Sequence, residues 1–329
     1  MKKFTEIEQF RNIIRSVKSH HDFKCYDSDE QPIYRHESPY PILTFNGTIK
    51  CHGTNASCVL YKDGHIEYQS RERVLSITSD NAKFLLCMSL VDVKKLFEGI
   101  EFSDHVALYG EWCGGNIQKG VTISGLPVMW VLFALKIDDI YQDFSKYPHI
   151  KMEDKRIFNI YQFENYKMDI DFNYPEIAQN KLVELTEAVE KECPVGRYFG
   201  KPNSIGEGIV WECITDDSRY IFKCKGEKHS ISKVKTIVPI DVEELNGMKE
   251  FVEYAVTENR MKQGIDKMVE LGKPLDMHTT GDYLRWVYND IIKEETDVLI
   301  KNQIDPKKIG SLISAKARIF WLKYLDSLV

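Results

Sequence analysis

Several things are missing from this 329-residue chain. No run of about 18 apolar residues is present, so no segment is suited to crossing a bilayer as a helix. The opening Met1-Lys2-Lys3-Phe4-Thr5-Glu6 leads into a charged amphipathic stretch with no apolar h-region, and no signal peptide is expected. The 8 cysteines form no C-x-x-C pair and show no zinc spacing, and several lie in apolar or β-like runs where a free thiol acts as a small hydrophobe. A reduced, intracellular, cytoplasmic protein is the simplest fit. Neither G-x-x-x-x-G-K-[ST] nor G-x-G-x-x-G occurs, which argues against a kinase or another phosphate-loop enzyme. There is no internal repeat and no low-complexity tract.

What is present suits a folded protein of one large and one smaller domain. Hydrophobic residues make up 43% and aromatics 12%, ample for a core. The net charge of -6 argues against a protein coating nucleic acid with its whole surface, but leaves room for a local basic groove.

Phe4, Ile7, Phe10, Ile13, Ile14 and Val17 recur at helical spacing and predict an opening helix over 4–19. Residues 25–41, with Pro32, Pro39 and Pro41, read as an irregular arm. Val59 to Tyr68 reads as two strands around the Asp63-Gly64 turn. A helix is expected over 80–98 and another over 176–191, with strands at 105–112, 128–137, 207–213 and 219–225. Beyond 240 the texture becomes helical, with helices expected over 242–271, 280–300 and 306–327 and a break at Gly272-Lys273-Pro274. The expected fold class is α+β, antiparallel sheets with flanking helices over 1–240, followed by a small all-helical domain over 241–329.

Within this frame lie the residues that can carry chemistry. Lys50-Cys51-His52-Gly53-Thr54-Asn55 follows a β-like run, and Gly53 permits a tight backbone path close to a ligand. Lys50 can attack phosphorus only as the free amine, so its pKa must fall far below the reference value of about 10.4. Nearby cations would help, because like charge disfavours the ammonium form. By itself the motif is common among solvated lysines. In Tyr220-Ile221-Phe222-Lys223-Cys224-Lys225, alternation puts Lys223 and Lys225 on one strand face, either simply toward solvent or toward a triphosphate whose charge they neutralise. Glu111, in Tyr109-Gly110-Glu111-Trp112, and Glu207, between Gly206 and Gly208, are either strand-end acids in water or ligand groups. Glu207 can hold a divalent ion through water or accept a hydrogen bond from the lysine amine, and Glu111 can bind a sugar hydroxyl. Phe133 lies in an apolar strand, as core or as a stacking platform, and Arg71 follows the hairpin.

The order of these elements is more specific than any one of them. Lys-x-His-Gly-Thr-Asn, Ser-Arg, Tyr-Gly-Glu, an aromatic strand, Glu-Gly-Ile-Val and Lys-x-Lys occur in one succession that resembles the covalent nucleotidyltransferases, the polynucleotide ligases and capping enzymes. The likeness is greatest to the RNA ligase 2 family of phage and kinetoplastid RNA-editing ligases. It extends to the Met1-Lys2-Lys3-Phe4 start, to Gly115-Asn116-Ile117-Gln118-Lys119, and to Val256-Thr257-Glu258-Asn259-Arg260 in the helical tail.

The resemblance implies an ATP-dependent RNA ligase, a monomer acting on 5′-phosphate and 3′-hydroxyl RNA ends, with nicks in duplex RNA as the expected substrate. Phage-like RNA repair is the implied setting. Lys50 would carry AMP, Glu111 would contact the ribose and Phe133 would stack on adenine. Glu207 would work with Mg²⁺ or Mn²⁺, and Lys223 and Lys225 would hold the phosphates. His52 would assist lysyl-adenylate formation, while Asn55 and Arg71 would matter once a 5′-phosphate end is bound. Ile49 stands where relatives often have Glu, and Ala134 where they commonly have Asp. A basic groove of Lys119, Lys225, Lys228 and the helical domain is also expected.

Two competitors stand beside this reading. DNA ligases and guanylyltransferases usually follow the Lys-x-Lys strand with a β-barrel domain, whereas helices are expected here. A non-catalytic RNA-end binder would have no need for Lys50, Glu111, Glu207, Lys223 and Lys225 together.

Overall fold

The structure, a computed structural model, describes residues 1–115, 117–118, 121–230, 238, 245 and 247–328. Two compact units divide the chain, Met1–Lys228 and His229–Val329.

The first unit begins with an extended segment and then α1 (Phe10–Asp22), β1 (Phe23–Tyr26) and β2 (Pro32–Tyr34). There follow β3 (Ile42–Ile49), β4 (Gly53–Tyr61), β5 (Ile66–Ser70), α2 (Phe84–Met88), β6 (His105–Cys113) and β7 (Met129–Ile137). The unit closes with β8 (Ile140–Gln142), β9 (Ile157–Asn159), β10 (Asn165–Asp171), α3 (Pro175–Lys191), α4 (Pro194–Tyr198), β11 (Gly208–Ile214) and β12 (Arg219–Lys225).

Two sheets carry the fold. One has the strand order β10-β3-β11-β12, all pairs antiparallel. The other runs β5-β4-β6-β7-β8, with β9 parallel to β7. In the first sheet Ile209, Trp211, Phe222 and Cys224 turn to a buried face against which α1 and α3 pack. In the second, Phe84 of α2 meets Trp112 and Trp130 edge-on at 5.5 and 5.1 Å, sealing one face. The opposite faces carry the polar and charged residues of the site. This is an α+β fold of antiparallel sheets with flanking helices.

Several local expectations change. The opening helix starts at Phe10 rather than Phe4, because Met1–Gln9 is drawn into tertiary contacts. Glu8 N donates to Ile221 O at 3.1 Å, Lys223 N donates to Glu8 O at 3.0 Å, and the Tyr109 hydroxyl donates to Lys2 O at 3.0 Å. The 25–41 arm contains most of a short hairpin, β1 with β2. The helix expected over 80–98 is two short pieces, α2 and a 3₁₀ turn at Val93–Phe97. Strand β10, an edge strand not among those expected, alternates polar Asn165, Lys167 and Asp169 with the less exposed Tyr166, Met168 and Ile170.

The second unit holds α5 (Met248–Ala255), α6 (Glu258–Glu270), α7 (Thr280–Glu294), α8 (Thr296–Lys301) and α9 (Pro306–Asp326). The long first helix is split at Thr257, whose side chain caps α6 by accepting from Arg260 N at 3.3 Å. The Arg260 side chain is fully buried, with Nη2 donating to the equally buried Glu295 at 2.8 Å. Tyr254 donates to the other Glu295 oxygen at 2.9 Å. Tyr283 stacks on Trp321 at 4.5 Å in the core. Among the described residues, no helix is long and apolar enough to cross a membrane.

Candidate active site

Strand register places the site. Lys50 follows β3 and is tied to β11 by its backbone N–H, which donates to Gly208 O at 2.9 Å. Opposite residues share a face in antiparallel pairs, so Thr48 lies with Val210 and Lys223, and Gly208 lies opposite Lys225. Gly208 has φ +149, and a Cβ there would lie 2.0 Å from Cys224 O, which accounts for glycine after Glu207.

Glu207 is the hub. It is 2% exposed, and three cationic or imidazole groups converge on its carboxylate. Lys50 Nζ donates to Oε2 at 2.9 Å, His52 Nδ1 lies 3.1 Å from the same oxygen, and Lys225 Nζ stands 2.9 Å from Oε1. Burial alone would raise the Glu207 pKa, but Lys225, Lys50 and His52 outweigh it and hold the carboxyl well below its usual range.

The direction at Lys50 corrects the expectation of a depressed amine. Burial lowers its pKa, yet the Glu207 and Glu111 carboxylates outweigh burial and raise it, so the resting group is an ammonium. Lys225 is the depressed lysine, lowered by burial and by the Lys50 and Lys223 cations against the pull of Glu207. Glu111 sits on β6 opposite Asn55 of β4. Burial, opposed by Lys50 and reinforced by Glu207, raises its pKa to about 7.

Lys50, His52, Glu207 and Lys225 are thus joined by contact, and Glu111 and Lys223 by their fields. Arg71 and Phe133 stand outside this hydrogen-bonded cluster. Arg71 is exposed beyond the end of β5. Phe133 packs with Tyr109, Ala134 and Val59, and Phe4 meets it edge-on at 5.1 Å. The close approach at Gly53 is to the protein's own backbone, since a Cβ there would lie 2.3 Å from Trp112 O. Ile49 and Ala134 are both buried, at 2% and 3% exposure. Of the expected basic groove, Lys225 is turned into the Glu207 cluster, Lys228 is exposed and Lys119 lies outside the described residues.

Arg219 is held within the fold by Glu212, which accepts from its Nε at 2.6 Å. Arg219 shares the β12 face of Lys223 and Lys225 by alternation, and its guanidinium lies 3.7 Å from the Tyr141 ring centre and 5.0 Å from that of Phe4.

Glu207 and Glu111 bring carboxylate oxygens to the site, which suits a hard divalent cation. Three of the roughly four lone-pair positions of the Glu207 carboxylate are already taken, so such an ion would be met through water.

No curated protein matches the sequence. Among solved structures, the Naegleria gruberi RNA ligase with PPi is similar at TM-score 0.44 and 17% identity, over 69% of this chain and 56% of that one. A lysine-to-alanine mutant of that ligase with ATP and Mn gives TM-score 0.44 and 14% identity, over 68% and 56%. A glutamate-to-alanine mutant with AMP and Mn gives 0.45 and 15%, over 69% and 56%. This chain therefore spans little more than half the length of those ligases. The RNA ligase family model matches residues 44–225, a stretch with Lys50 near one end and Lys225 at the other. Because that match takes in more than half of the 329 residues, the chain belongs to the RNA ligase family.

Proposed function

We propose that the protein is an ATP-dependent RNA ligase that joins 5′-phosphate and 3′-hydroxyl ends in three displacements at phosphorus. Lys50 Nζ, once deprotonated, attacks the α-phosphorus of ATP; a lysyl-AMP phosphoramidate forms and pyrophosphate leaves. The RNA 5′-phosphate oxygen then attacks the same phosphorus, taking the AMP and freeing the lysine. Finally the 3′-hydroxyl attacks the activated 5′-phosphate, losing its proton, and AMP departs as the phosphodiester forms. The observation that carries this reading is the convergence of Lys50, His52 and Lys225 on the buried Glu207.

Each side chain has a task. Glu207 orients the Lys50 amine and balances Lys225. Displacing that carboxylate contact while Lys225 and Lys223 remain charged would lower the Lys50 pKa and release its proton. Lys223 and Lys225 would take up phosphate charge. Glu111 would contact the ribose, Asn55 and Arg71 the 5′-phosphate end, and Phe133 the adenine. A divalent Mg²⁺ or Mn²⁺, held by ATP oxygens and by Glu207 through water, would neutralise charge on the phosphates when bound. In this reading the first unit is the adenylyltransferase domain, and the helical second unit serves the joining of RNA ends.

The test is a sealing assay on nicked duplexes that differ only in the sugar on the 3′-hydroxyl side. RNA at that position should be joined and DNA should not. Sealing that ignores the sugar would favour a DNA ligase instead.

A further inference from the structure

Outside the catalytic cluster, the described residues hold one group of three potential metal ligands, and it lies at the root of the 25–41 arm. His21 and Asp22 end α1, and His36 follows β2. One donor atom from each lies within 4.8 Å of the others. Both histidines and the aspartate are held in place by neighbours. The Tyr40 hydroxyl donates to Asp22 Oδ2 at 3.1 Å, while His36 Nδ1 lies 3.0 Å from Asp22 Oδ1. His21 Nε2 lies 3.1 Å from the Ser38 hydroxyl and 3.2 Å from its carbonyl. The Tyr40 ring backs both imidazoles, at 4.4 Å from His36 and 5.4 Å from His21, and its backbone is pinned to Asn173. Adjacent His20 points elsewhere, to Asp217 and Ser218.

We propose that His21, Asp22 and His36 form a structural site for a borderline divalent cation of the zinc class, with water completing the coordination. Two imidazoles and one carboxylate are a nitrogen-rich donor set suited to zinc, cobalt or nickel rather than magnesium. With metal–ligand bonds of about 2.0–2.1 Å, tetrahedral ligands sit about 3.3 Å apart. The donors here need close by no more than about 1.5 Å, a small motion for the exposed His36. Tyr40, which orients Asp22 from behind, has the outer position commonly seen around bound zinc.

The site has a purpose in the fold. All seven residues of β1 and β2 are exposed, so the hairpin has no buried side chain of its own to hold it. A two-stranded hairpin is marginal in water. A metal joining the end of α1 to the residue two beyond β2 would close the arm at its base.

The untagged full-length chain should be titrated with Zn²⁺ by equilibrium dialysis and with Co²⁺ by absorption, neither requiring ATP or RNA. One equivalent should bind, with the intense ligand-field bands of tetrahedral cobalt, and Zn²⁺ should slow amide exchange in residues 23–34. His36→Ala and His21→Gln should lose the bound equivalent, and Tyr40→Phe should weaken it about tenfold or more. His20→Gln and Cys25→Ser should bind like wild type. The proposal is overturned by the absence of a stoichiometric site, by unchanged binding in His36→Ala and His21→Gln with native circular dichroism, or by loss of binding in Cys25→Ser. Failure here leaves the ligase reading untouched, since neither readout passes through Lys50.

Discussion

Lys50 and Glu207 stand 157 residues apart in sequence and meet at 2.9 Å, amine to carboxylate. This pair sets the resting state of the site, an ionised acid holding an ammonium. Under the proposed mechanism Lys50 is thus held as the unreactive ammonium until its contact with Glu207 is displaced.

Replacing Glu207 should affect both stability and chemistry. Glu207→Ala leaves Lys50 and Lys225 without their shared counter-charge. Because both ammoniums retain 19% and 16% exposure, the cost should be about 1–3 kcal/mol rather than the full penalty of a buried orphan. Urea denaturation at pH 7 measures it, and nucleotide transfer to Lys50 should fall sharply in the same variant.

The same carboxylate fixes an acid limit. Its folded pKa lies below the unfolded value of 4.5, so the unfolded chain binds the extra proton first. The stability from Glu207 is present above that value and is lost as pH falls through the folded pKa. Glu207→Gln should therefore show a smaller loss of stability in acid than wild type, read from melting temperatures across pH 3 to 6.

Glu111 gives the opposite slope. Its pKa rises from 4.5 unfolded to about 7 folded, so the folded protein holds more protons across that window. Stability should fall as pH rises from about 4.5 to 7, by roughly 1–3 kcal/mol from this group. Glu111→Gln should remove that slope in urea titrations at pH 5 and pH 8; an unchanged slope would exclude the assignment.

Gly53 should tolerate no side chain. A Cβ would meet Trp112 O at 2.3 Å and the Cys113 Cβ at 2.7 Å, forcing β4 from β6 just behind Lys50 and His52. Gly53→Ala should cost about 1–3 kcal/mol and lower lysine labelling by displacing His52, visible as a loss of both melting temperature and labelling rate.

In the helical unit, Arg260→Ala strands Glu295 in the core. With both side chains at 0% exposure, the loss should be about 3–5 kcal/mol. Denaturation should show it, whereas a loss under 1 kcal/mol would mean that water reaches Glu295.

Much of this was legible in sequence where local pattern decides. The β12 alternation gave the shared face of Lys223 and Lys225, while the glycines around Glu207 left it either a strand-end acid in water or a ligand group. Other features depend on distant partners. Phe4 and Ile7 keep helical spacing, yet the segment lies extended because Glu8 bonds across to β12. The direction of the Lys50 shift needed the distance to Glu207, since neighbouring lysines and neighbouring acids predict opposite signs. The group of His21, Asp22 and His36 has no familiar spacing, because a helix end and a loop are brought together by tertiary contacts of Tyr40, Ser38 and the Arg35 backbone.

The central claim is that Lys50 is the covalent nucleophile. Incubation with α-labelled ATP and Mg²⁺, followed by denaturing electrophoresis, tests it most directly. Label should be trapped on the wild-type chain in an acid-labile, phosphoramidate-type bond and be absent from Lys50→Ala. Equal labelling of the two proteins would contradict it.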